Sequence, residues 1–281
     1  VDGSEVYLAG LGSPLLTVAD ANTHQVSRTI GPFSGSVRPF TVNGDRSLIF
    51  ANINDLLGFE IGDLKTGKKL HRVEITDVPR GAPLRHGCPS HGIGMTPDEK
   101  QIWVSDGFNS TVHMFDATVM PPTLTDSVSL RGQPGWVTFS IDGTMGWPST
   151  GQAIDTKSHQ IIAALTDETG RAVESEKLLE VDFQDGNVVS VGDQFGRALA
   201  DDVHAEHLVV LLLGHNLHET VGLARHAGAR QGPEREAADA HVVAGGLRLR
   251  LGEAHAADLR LGVGAAGHVV VVDRLDLVTG D

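Results

Sequence analysis

The chain has 281 residues, 40% of them hydrophobic, which is enough for a sizeable core and more than a single domain needs. With 22 Lys and Arg against 36 Asp and Glu the net charge is −14 and no concentrated basic face is visible, so nucleic acid and anionic membrane surfaces are excluded as expected partners. The longest unbroken apolar run, Leu208 to Leu213, falls far short of the roughly 20 residues of a membrane span, and the single cysteine, Cys88, rules out an intrachain disulfide.

The sequence opens at Val1 without a signal peptide and inside a strand-like segment, so a preceding portion with further repeats or an export signal is expected. Residues 6–10 and 15–20 read as the middle strands of a unit whose first strand is missing, with 26–30 as its outer strand. Residues 37–51 then spell an apolar strand, a tight turn at Asp45 and a second apolar strand. The same outline returns at 90–104 around Asp98 and at 134–147 around Asp142. Third strands follow at 58–63, 112–116 and 153–155. Three versions of one turn, beginning at Asp20, Asp63 and Asp155, lead into outer strands at 26–30, 69–73 and 161–165, with 126–130 outermost in the remaining unit; polar and apolar residues alternate in 26–30, 69–73 and 126–130. Asp side chains fold back onto the backbone and Gly supplies positive φ, so these aspartates are read as turn chemistry. A last strand pair, 178–183 and 187–191, belongs to another unit.

Four short strands per unit, repeating roughly every 50 residues, are the signature of a β-propeller, whose blades bury their faces only against each other. The expected fold class is all-β: a partial β-propeller of about four to five four-stranded blades over 1–195. An arc that does not close leaves edges exposed, so self-association through unclosed edges is expected.

The chain changes character after residue 195. From Gly196 onward there is no Lys, Ser, Ile, Phe, Tyr, Trp, Met or Cys, and the stretch holds eight of the 14 histidines. Such a restricted, Ala/Gly/Val/His-rich alphabet fits a frameshifted or antisense translation of a GC-rich gene. The competing reading of 196–281 is a small α/β appendage, with a helix starting at Asp201 and Asp202 and strands near 241–251 and 268–273. On a helix, His204, His207, His215 and His218 fall on one face, a stripe that either chelates a metal or reflects the histidine richness of the whole tail.

The best copy of the repeat runs PSHGIGMTPD through IWVSD, residues 89–106, then NSTVHMFD, residues 109–116. These motifs resemble the YVTN family of bacterial β-propellers over residues 4–195, with none of the tail matching. The resemblance implies the propeller fold, export to the periplasm or outside the cell, and a binding role. The chain departs from the pattern at Gly146-Trp147-Pro148, where proline removes a ladder donor and belongs at a strand end or bulge.

Seven residues before the turn aspartates stand Arg38, His91 and Gly135, positions that begin the innermost strands and approach the central channel. Arg38 and His91 are therefore the candidate ligand-binding residues, a cation and an imidazole suited to a carboxylate, phosphate or carbonyl, or else groups bonded to neighbouring backbone. His86, Cys88 and His91 form the densest set of metal-ligand types, although their spacing matches no structural-zinc pattern and packing is the other reading. Residues 167–171 and 174–177 put acids beside bases, which general acid/base work or solvated loops explain equally. Trp103, Trp136 and Trp147 read as packing residues. No catalytic residue is assigned, and no cofactor is expected apart from that metal option. The function expected is a non-enzymatic binding or scaffold module for a small molecule or protein at the channel mouth. The alternative is a propeller enzyme, a lactonase-like hydrolase or a cofactor-dependent oxidoreductase, using His91.

Overall fold

The computed structural model describes residues 3–79, 81, 86–167, 169–176, 178–184, 187–192, 240–244, 247–251 and 267–272. They fall into two compact units, one reaching to Glu176 and one beginning at Leu178. Among the described residues every regular element longer than a turn is a strand, and no helix is long and apolar enough to cross a membrane.

In the first unit, β1 (Glu5–Ala9), β2 (Leu16–Asp20) and β3 (Val26–Ile30) form a three-stranded antiparallel sheet. Three four-stranded antiparallel meanders follow. They are β4 (Val37–Val42), β5 (Leu48–Ile53), β6 (Gly58–Asp63) and β7 (Lys69–Glu74), then β8 (Ser90–Met95), β9 (Gln101–Asp106), β10 (Thr111–Asp116) and β11 (Thr123–Ser129). The last comprises β12 (Val137–Phe139), β13 (Met145–Pro148), β14 (Gln152–Asp155) and β15 (Ile161–Ala164).

Period-two alternation makes each sheet serve two neighbours. In β5, Ile49, Ala51 and Ile53 pack back onto Leu16, Val18 and Ile30 of the first sheet. Phe50, between them, joins Phe59, Ile102, Val104 and Phe115 on the other side. In β9 the pattern repeats: Ile102 and Val104 face back, while Trp103 packs forward with Val137, Phe139 and Ile154. In the first unit each of these apolar clusters spans neighbouring sheets, which is the blade packing of a partial β-propeller. The outer strands β7 and β11 are mostly exposed, as edges facing water should be.

The turns repeat as closely as the strands. Asp20 Oδ1 accepts from the backbone N–H groups of Asn22 and Thr23, Asp63 Oδ1 from Lys65 and Thr66, and Asp155 Oδ1 from Lys157 and Ser158. The chain then closes through a left-handed residue, His24, Gly67 or His159, at φ of 59°, 71° and 56°. A register shift between third and outer strands recurs two residues before each of these aspartates and before Asp116, a bulge that adds local twist. Pro148 is the last residue of β13, where its missing N–H is tolerated.

In the second unit β16 (Leu178–Gln184) pairs with β17 (Asn187–Gly192) and with β20 (Gly267–Val272), while β18 (Ala240–Ala244) and β19 (Leu247–Leu251) form a separate hairpin. The expected helix from Asp201 and Asp202, and His204, His207, His215 and His218, lie outside the described residues.

Candidate functional site at the inner strand ends

Arg38 and His91 occupy the same irregularity in consecutive blades. The β4–β5 register passes from Val37 opposite Ile53 to Phe40 opposite Ala51, and the β8–β9 register from Ser90 opposite Asp106 to Ile93 opposite Val104. Each inner strand thus carries one extra residue, and Arg38-Pro39 and His91-Gly92 sit within the bulge. Bulges re-aim side chains, and Pro39 costs no ladder bond there. Gly92 has no room for a side chain: a Cβ would strike the backbone of Gly135 and Trp136 in the next blade.

The side chains then link three blades in order. Arg38 donates from Nη2 to the His86 carbonyl oxygen at 2.8 Å and from Nε to Asn54 Oδ1 at 3.2 Å. The His86 ring stacks on His91, centroids 4.0 Å apart and planes 18° from parallel. His91 Nδ1 lies 2.8 Å from the carbonyl oxygen of Gly135. Trp136 approaches the His91 ring edge-on at 6.5 Å, and Asn52 Nδ2 donates to the His91 carbonyl at 2.7 Å. His86 Nε2 is 2.6 Å from Glu176 Oε1, a close approach whose geometry is not that of a hydrogen bond.

Burial lowers the His91 pKa below the ordinary imidazole value; the Gly135 carbonyl and Glu176 pull it up, while the neighbouring His86 and the Arg38 charge push it further down. Cys88 is fully buried with Sγ turned to the Ser90 carbonyl at 3.4 Å. Burial pushes its thiol up against the pull of Arg38, so the reactive thiolate is disfavoured.

Tyr7, Leu8, Arg38, Phe40 and His91 are among the residues lining an open cleft of about 430 Å³. The lining joins residues of β1, where Leu8 is half exposed, to Arg38 and His91 of the two inner strands. Among the described residues no carboxylate forms an ion pair with Arg38.

The expected ligand-binding pair, Arg38 and His91, is therefore brought to one cleft. The expected metal set is arranged differently. Cys88 Sγ is turned to backbone, and the near-parallel His86 and His91 rings keep their in-plane lone pairs in separate planes. Among the described residues no three His, Cys, Asp or Glu side chains are grouped to hold a metal. Trp103 and Trp147 are core, but Trp136 precedes β12, is only partly buried and belongs to the site. Of the acid–base runs, Asp167 and Arg171 pair with each other across their own turn at 2.9 Å, whereas Glu176 reaches His86.

A second polar network is not signalled by any sequence motif. His113, buried in β10, joins Asp106 Oδ2 at 3.2 Å and Ser127 Oγ at 2.8 Å, while Asp106 also accepts from the N–H groups of Phe108 and Asn109. The matching third-strand position holds buried Glu60 in one neighbour, bound by Ser34 N and Lys69, and Gln152 in the other, bound by Arg131 N. These groups pin strands and do not reach the cleft.

No protein-family model matches the chain, and no curated protein matches it by sequence. Among solved structures it is similar to the hydrazine synthase of Kuenenia stuttgartiensis, a β-propeller-containing protein, with a TM-score of 0.50 and 19% sequence identity. The match covers 68% of this chain and 53% of that one, so this chain spans about half of its neighbour's length. At that identity the likeness is one of fold.

Proposed function

We propose that the chain is a YVTN-type repeat propeller acting as a non-enzymatic binding module of the periplasm or cell exterior, and that it holds a carboxylate-bearing small molecule or protein group in the cleft at Arg38 and His91. One observation carries this reading. The Arg38 guanidinium is half-buried, donates to the neutral oxygens of His86 and Asn54, reaches the Cys88 thiol, and forms no ion pair with a carboxylate among the described residues. Removing a cation from water is unfavourable unless an anion offsets it, and guanidinium matches carboxylate geometry in pairs of bonds. A ligand carboxylate supplies that partner.

The catalytic alternative, with His91 acting in hydrolysis or oxidation, has its own support in an imidazole whose Nε2 has no partner among the described residues. No nucleophile or acid–base partner is hydrogen-bonded to His91 Nε2 among the described residues, and binding is the simpler reading. Titration calorimetry with 3-phenylpropionate on the full chain and on Arg38→Gln tests the proposal. Loss of an ionic hydrogen bond predicts affinity at least about tenfold weaker in the variant. Equal affinity in the two proteins refutes it.

A further inference from the structure

We infer that the cleft selects hydroxy-carboxylates with an apolar body, the carboxylate on Arg38 and the hydroxyl donating to His91 Nε2. The inference rests on the reading of Arg38 as the anion-holding group and adds the second polar contact.

Arg38 and His91 make opposite demands on a ligand. A carbonyl oxygen only accepts, so the 2.8 Å contact between His91 Nδ1 and Gly135 assigns the proton to Nδ1. In the neutral ring Nε2 is then a lone pair and only accepts. Arg38 only donates. A ligand that satisfies both must bring an acceptor for one and a donor for the other. A bare carboxylate brings acceptors alone and sets its charge against the Nε2 lone pair; an added hydroxyl removes that conflict.

The surroundings hold this assignment in place. The His86 ring covers one face of His91, Trp136 meets it edge-on, and Gly92 lets the next blade approach closely, so the imidazole is not free to exchange its two nitrogens. Burial, aided by the neighbouring His86 and the Arg38 charge and opposed by the Gly135 carbonyl and Glu176, lowers the His91 pKa and so favours the neutral ring. The remainder of the ligand meets Tyr7, Leu8 and Phe40, and the cleft volume of about 430 Å³ lies within the range of small-molecule sites.

Calorimetry on the full chain at pH 7.5 compares 3-phenyllactate with 3-phenylpropionate, which differ by one hydroxyl. The expected result is about tenfold tighter binding of the hydroxy acid, with the preference collapsing toward one in His91→Leu. Equal affinities in the unmodified chain overturn this inference while the Arg38 reading stands. No binding heat with either acid overturns both. Because the decisive comparison uses one unaltered protein and two ligands, it does not depend on how the variant folds.

Discussion

His91 donates its Nδ1 proton to the Gly135 carbonyl oxygen 2.8 Å away, joining the equivalent positions of two consecutive blades. Gly135 leaves room for the side-chain ends of His86 and Glu176. A Cβ would collide with both His86 and Glu176, which close over it. Gly135→Ala is therefore expected to cost roughly 1–3 kcal/mol in stability through overpacking, read as a lower denaturant midpoint, and to weaken carboxylate binding by displacing His86 and His91. A variant with unchanged midpoint and affinity contradicts the described packing.

Asp106 sits with no exposed surface and accepts from His113 as well as from two backbone N–H groups. Burial alone raises its pKa, but these donors together hold it below the usual carboxylate range. Asp106→Asn turns an amide donor toward groups that also donate, and the expected loss is at least about 2 kcal/mol. Ligand affinity, measured below the unfolding transition, is expected to stay near that of the parent, because this network does not reach the cleft.

The blade turns give the protein an acid limit. Hydrogen bonds from the N–H of Thr23, Thr66 and Ser158 hold Asp20, Asp63 and Asp155 below the usual carboxylate pKa. A carboxyl that is more acidic folded than unfolded contributes stability above its unfolded pKa of about 3.9 and loses it as pH falls through the lower folded value. Stability is thus expected to fall steeply below about pH 4. Replacing the three aspartates by Asn should flatten that slope in urea unfolding series. An unchanged slope contradicts the assignment.

Cys88, buried with a raised pKa, is expected to resist alkylation by iodoacetamide at neutral pH and to react fully once the chain is unfolded, as mass spectrometry of the intact protein reports. Rapid labelling of the folded protein would overturn its assignment as a packing residue.

The blade architecture was legible because its signals are local. Asp45, Asp98 and Asp142 mark tight turns and Ile49 to Ile53 alternate within five residues, so spacing alone names the strands. The positions of Arg38 and His91 were legible for the same reason, since each lies a fixed distance before a turn. Their partners were not. Glu176 meets His86 across a separation of 90 positions, with two whole blades between them in the chain, and Trp136 joins the site because Gly135 and Gly92 let two backbones approach. His113, Glu60 and Gln152 share a blade position but differ in chemistry, so no motif connects them before their burial is known.

The most direct measurement is a crystal of the full chain soaked in 3-phenyllactate. Density for the ligand is expected in the cleft beside Tyr7 and Phe40, its carboxylate on the Arg38 guanidinium and its hydroxyl within hydrogen-bond reach of His91 Nε2. Density on another surface, or an empty cleft at saturating ligand, would contradict it.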